Sequence, residues 1–204
     1  MVGRFRDCGF DMCIEPLGAD LDSLATIVST SHSAGEAWER ELQYFRGRGW
    51  DPVEMAGSVT IDQAVYLVRQ QLLRVFEVNP MPKNLGFLYF GLFDRDQEVE
   101  EMPSAGFYVS GGIHFDDKDA DSLCDLPYAP DDGEITSELL DQLKRGALSD
   151  QSSREFIEYA VMFGLGSLLA KFGLPEQAFG LKVIVGFDEG DFAEIALEKG
   201  SRRI

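Results

Sequence analysis

The sequence predicts an α+β fold, with a mainly antiparallel sheet of about four strands packed with five helices. Three observations carry the prediction. The first third of the chain repeats apolar residues at helical spacing. Between residues 85 and 115 the pattern changes to runs that are apolar throughout or alternate with a period of two. Two further helical stretches follow, and the chain closes on two short strand patterns. Helices and strands segregated in this way read as α+β, whereas an α/β chain alternates them. At 204 residues the chain suits one domain, 1–204, with a helical N-terminal portion (1–58) and a sheet-and-helix core (59–204).

Each element has its own reason. "DLDSLATIVST" (20–30) sets Leu21, Leu24, Ala25, Ile27 and Val28 on one stripe and predicts a first helix. A second spans 34–50, where Ala37, Trp38, Leu42 and Phe45 recur between charges and Gly47 and Gly49 end the run. The third, over 60–80, opens on Thr60 and Gln63. Their spacing is that of a capping box, in which each side chain accepts from the other residue's backbone N–H. Ala64, Val65, Leu67, Val68, Leu72, Leu73, Val75 and Phe76 give this helix a broad apolar face, and Pro80 and Pro82 close it.

"LGFLYFGLF" (85–93) is apolar on both alternating faces, so a central strand covered on both sides is expected. In "AGFYVSGGIHF" (105–115), Ala105, Phe107, Val109, Ile113 and Phe115 fall on one face, and Tyr108, Ser110 and His114 on the other. The acidic run 94–104 joins the two as a hairpin loop. An amphipathic helix is predicted over 134–148. A fifth helix, 152–174, opens on a second capping box, Ser152 with Glu155, and is apolar nearly all round, so it should be central. Gly164 and Gly166 weaken it locally and permit close packing. "LKVIVGF" (181–187) and "FAEIALE" (192–198) flank "DEGD", which predicts a hairpin.

Composition narrows the function. Hydrophobic residues make up 45% of the chain, fifteen of them Phe, so a packed core is expected rather than disorder. Three cysteines, Cys8, Cys13 and Cys124, have no framework spacing and suggest free thiols in a reducing compartment. Acids interrupt the N-terminal stretch before any signal core forms, and the apolar run 159–170 is too short to span a bilayer. A soluble cytoplasmic protein is expected. The net charge of −18 argues against nucleic acid, whose phosphates need a basic face, and against anionic membrane surfaces. That charge is concentrated: from Phe93 to Asp141, fifteen acids stand against two bases, Arg95 and Lys118, a balance of −13.

The densest stretch, "GGIHFDDKDADSLCD" (111–125), admits a metal reading. Asp117, Asp119, Asp121 and Asp125 match positions 1, 3, 5 and 9 of a calcium loop. The match fails where the loop needs Gly and a bidentate Glu, since Ser122 and Tyr128 stand there. A structural zinc site would need four clustered ligands, and the chain has only His32 and His114 besides its cysteines. Ser29, Ser31 and Ser33 around His32 look like a helix end and a cap. Phosphate-loop and dinucleotide fingerprints are absent. We therefore expect no cofactor, no metal and no catalytic residues. The alternative is a metal-dependent or thiol enzyme centred on His114, the 116–125 aspartates and Cys124.

The favoured reading is a surface that steers and binds a basic protein. Clustered carboxylates raise the rate of encounter with a positive patch by about 10- to 10³-fold. The expected contact residues are Asp116, Asp117, Asp119, Asp121, Asp125, Tyr128, Asp131, Asp132 and Glu134, with Leu126, Pro127 and Tyr128 as apolar anchors among the charges. The hairpin sets the 94–104 loop and the start of this segment at opposite ends, about 30 Å apart at ~3.4 Å per residue, so two acidic patches are possible. The strand patterns "LGFLYFGLF" and "GFYVSGG" and the terminal "KVIVGFDEGDFAEIAL" resemble, over roughly residues 60–200, bacterial polymorphic-toxin immunity proteins, which are small acidic cytosolic α+β domains. That resemblance implies a stoichiometric inhibitor of a basic effector such as a nuclease toxin.

Overall fold

The computed structural model describes residues 15–49, 59–94, 105–116, 123, 126–142, 154–187 and 191–197, with the backbone alone at 15–19, 94 and 154–158. The order is α1 (Glu15–Thr30), α2 (Ala34–Gly47), α3 (Ile61–Val78), β1 (Phe87–Asp94), β2 (Ala105–Gly112) and β3 (Glu134–Thr136). Then come α4 (helical over 138–142), α5 (Arg154–Gly173), a 3-10 turn (Glu176–Ala178), β4 (Lys182–Phe187) and β5 (Phe192–Ile195). The class is α+β. Two predicted caps are present: Thr60 and Gln63 bond reciprocally at the start of α3, and the Ser33 hydroxyl accepts from Glu36 N–H at the start of α2. The third, at Ser152 and the Glu155 side chain, lies outside the described residues.

The five strands form one sheet in the order β3-β2-β1-β4-β5. The hairpin of β1 and β2 pairs Phe87 with Gly112 and Asp94 with Ala105, and β4 and β5 form the second hairpin. The strand not foreseen is β3. The pattern predicts a helix from 134, but Ile135 and Thr136 are β-branched, and β-branched side chains pack well on a pleated surface. Ile135 pairs with Phe107 and is fully buried. The helix begins only after Ser137, whose hydroxyl accepts from Leu140 N–H. The other difference is that β4 joins β1 in parallel. Parallel neighbours need a crossover of a dozen residues or more, and α5 lies in this one.

Alternation along the strands gives the sheet two faces. Leu88, Phe90, Leu92, Phe107, Val109 and Val185 point into the helical layer and form one cluster with residues of α1, α2, α3 and α5. Phe87, Tyr89, Ile184 and Phe192 point the other way. Burying each such side chain contributes about 1.5–3 kcal/mol. Thus β1 is central and covered on both sides, as its doubly apolar pattern indicates. The pleat of β2 ends at Gly112, which corrects one expectation. Ile113 is exposed, and Phe115 turns to the second face rather than sharing a face with Phe107.

Helix α5 is the centre of the helical layer, touching α1, α2, α3, β1 and β4. All residues from Ala160 to Lys171 are buried. A methyl group at Gly166 would overlap Leu92 of β1, so the close approach there requires glycine. Lys171 is buried too, and its Nζ donates to the carbonyls of Val28 (3.0 Å), Ser29 (3.0 Å) and Ser31 (2.9 Å). Those carbonyls lie at and just past the end of α1, where the helix runs out of N–H partners; the Val28 carbonyl also accepts from Ser31 N–H (3.3 Å). Helix α3 is less covered than its sequence suggests. It touches α2, α5 and β3, and Leu67 and Leu73 of the predicted apolar face are exposed.

Candidate functional site

Within the acidic segment 116–134, residues 116, 123 and 126–134 are described, and these do not stand away from the sheet. After Gly112 the chain turns to the second face at Phe115, and residues 128–134 run along the outer side of β2. Phe115, Leu123 and Leu126 pack against Phe87, Tyr89, Ile184 and Phe192. The Phe115 ring lies 5.6 Å from that of Phe87 and 5.4 Å from that of Phe192. The return begins at Tyr128, whose N–H and C=O both pair with Gly111. A tight turn follows, closed by Gly133 N–H donating to the Pro130 carbonyl (3.0 Å). Glu134 then faces Tyr108 in the β2–β3 ladder.

This path decides which predicted contact residues reach the surface. Asp116, Asp131, Asp132 and Glu134 are exposed. Asp117, Asp119, Asp121 and Asp125 lie outside the described residues. Tyr128, expected to anchor a partner, is 6% exposed, and its hydroxyl donates to the Asn79 carbonyl at 2.8 Å. Burial pushes its phenol up to about 12. It ties the segment to the end of α3 instead of presenting a ring to solvent. Leu126 is half-buried in the second-face cluster, and Pro127 is exposed.

The separation of the two acidic runs also changes. Asp131 and Asp132 occupy the turn beside Val109, and Glu134 lies opposite Tyr108. The 95–104 run joins β2 at Ala105. Three residues of strand, about 10 Å, separate Tyr108 from that junction. The outer edge of the sheet therefore carries acids back toward the end where the first acidic run attaches. The edge strand β3 is only three residues long and is flanked by charge, a usual protection of a sheet edge.

For the enzyme alternative, His114 and Asp116 are exposed, while Cys124 and the aspartates 117–125 lie outside the described residues. Among the described residues no group of three or more His, Cys, Asp and Glu side chains is placed to hold a metal ion. A groove of about 420 Å³ opens at the end of α3, lined in part by Phe76, Met81, Lys83, Leu85, Phe179 and Leu181. Among the described residues Lys83 is its sole ionisable lining residue. No helix among the described residues is long and apolar enough to cross a membrane.

The strongest electrostatic anomaly lies elsewhere and had no signal in the sequence pattern beyond one acid at the spacing of the buried stripe in an amphipathic helix. Glu41 of α2 is fully buried, and neither carboxyl oxygen has a hydrogen-bond partner among the described residues. Leu24 and Gly164 wall it in, with Gly164 of α5 close enough that a Cβ there would lie 3.3 Å from the carboxyl. Burial pushes its pKa well above its ordinary value, because desolvation disfavours the charged form. Asp20 is buried as well; burial raises its pKa, and the ion pair with Arg48 partly offsets that rise. Both acids sit inside the helical layer, away from the exposed acidic edge. No family model matches the chain, and no curated protein or solved structure matches it either, so the edge rests on its own geometry.

Proposed function

We propose that this chain is a non-catalytic cytoplasmic binding protein that occludes a basic protein through its acidic sheet edge, as an immunity or antitoxin-type inhibitor of a basic effector does. One observation carries the reading. The returning segment lines the outer edge of the sheet with exposed Asp131, Asp132 and Glu134 on a rigid, hydrogen-bonded frame. A partner with a positive groove, such as a nuclease's phosphate-binding surface, is attracted at long range and meets carboxylates already positioned. The resemblance to immunity proteins points to the same class of partner.

The test compares two affinity columns loaded with lysate of the source cells. One carries the wild-type chain and the other the Asp131→Lys/Asp132→Lys variant. A basic protein held by the first and absent from the second, eluting as salt rises, supports the reading. Equal retention on both columns sinks it.

A further inference from the structure

We propose that the seam between α3 and the acidic edge is a docking groove for a cationic amphipathic helix; this rests on the acidic edge being the binding surface. Four of the large apolar side chains left exposed lie on α3: Tyr66 (61%), Leu67 (51%), Leu73 (37%) and Val78 (64%). They are not scattered. Leu67, Gln71, Arg74 and Val78 recur at i, i+4, i+7 and i+11, which is one stripe of a helix. Tyr66, Gln70, Leu73 and Glu77 form the stripe beside it.

The position of the first stripe is fixed by Gln71. Its amide donates to the Thr136 carbonyl at 2.8 Å and accepts from Thr136 N–H at 3.2 Å. The stripe therefore runs along the junction with β3. At the far end, Tyr128 donates to the carbonyl of Asn79, the residue that caps α3. Between these two clamps lie Asp131, Asp132 and Glu134, all exposed. One side of the seam thus carries exposed Leu67 and Val78 with Gln71 and Arg74 between them, the other is acidic turn and strand, and the Gln71 and Tyr128 contacts tie the two sides together before any partner arrives. Preorganisation of this kind lowers the ordering cost of binding.

The occupant follows from those walls. Exposed Leu67 and Val78, about three turns apart on one helical stripe, are matched by another helix that sets apolar anchors along one of its faces. The acids beside it select lysines and arginines on one flank of that helix. Arg74 lies within the stripe and selects an acid or a carbonyl at one point, which adds register. A strand is a poor fit, since β3 offers only three residues for pairing. A second copy of this chain fits poorly as well, because two-fold pairing through α3 would bring two acidic edges together.

The experiment titrates the labelled full chain with a Leu/Lys peptide of about five helical turns, its leucines on one face. A second peptide has the same composition in scrambled order. The variants are Leu67→Ser/Val78→Ser and Asp131→Asn/Asp132→Asn, all at exposed positions, with folding checked by circular dichroism. The amphipathic peptide should bind at least about tenfold tighter than the scrambled one, and each double variant should remove most of that difference. Equal binding of both peptides, weakened by the aspartate variant alone, overturns the helix groove and leaves the acidic edge intact. Binding unaffected by the aspartate variant overturns both. A self-association of the free chain that disappears in Leu67→Ser/Val78→Ser assigns the seam to a second copy and also overturns the proposal.

Discussion

Glu41 shows how one side chain couples the fold to pH. Its carboxyl is buried without a partner among the described residues, so ionising it in place would leave a charge without compensation in a poorly polarisable interior. The folded chain consequently keeps this proton to a higher pH than the unfolded chain, whose value is near 4.5. Below that value both states are protonated and the group leaves stability unchanged. As pH rises above it, the unfolded state gains by ionising while the folded state does not, and stability falls until the folded group ionises too. The slope over that window is about 1.4 kcal/mol per pH unit. In Glu41→Gln this slope disappears. Urea denaturation at pH 4.5 and at pH 8 should show the variant gaining on the wild type as pH rises; a constant difference between the two pH values would refute the assignment. The spacing of Glu41, four residues from both Ala37 and Phe45, is that of the buried stripe of α2, but an acid there reads as surface until the structure sets it against Gly164 of α5. Tyr128 departs from its expected exposure for a related reason. A tyrosine among aspartates looks exposed until its hydroxyl is seen to reach the Asn79 carbonyl.

The elements were legible where local pattern alone decides them. The capping box of α3, the largely apolar α5 and the two hairpins are properties of contiguous residues, and each lies where the pattern puts it. What escaped depends on distant partners. Strand β3 exists because Ile135 meets Phe107, and the parallel pairing of β1 with β4 is set by how α5 crosses the sheet. That crossing yields a prediction with opposite signs at two glycines. A methyl group at Gly166 would collide with Leu92, which is itself locked in the core, and overpacking of this kind costs about 1–3 kcal/mol. At Gly35 in α2 a Cβ would meet nothing within 4 Å, so alanine brings only its better helix propensity, up to about 1 kcal/mol. Gly166→Ala should therefore lower the melting temperature and Gly35→Ala should raise it slightly. If both variants are stabilising, α5 does not approach β1 as closely as described.

At the scale of the whole molecule, net charge was plain from composition, but its layout was not. The −18 could have been spread evenly for solubility. Instead Asp131, Asp132 and Glu134 lie together along one edge of the sheet, and Asp131 and Asp132 occupy adjacent positions of one tight turn. Like charges held this close repel, and the repulsion opposes the compact state. Clustering therefore weakens the fold, and a role in solubility does not require it. A role in attracting a basic partner does, because the field at a distance grows with local charge density. The two roles separate in a measurement on the free chain. Neutralising the turn with Asp131→Asn/Asp132→Asn should raise the melting temperature at low ionic strength. The gain should shrink as salt is added and largely vanish near 1 M, where the screening length has fallen to about 3 Å. A loss of stability at every salt concentration would mean that the two aspartates support the turn rather than strain it. The cluster would then be a structural feature of the turn and not a costly charge retained for a partner.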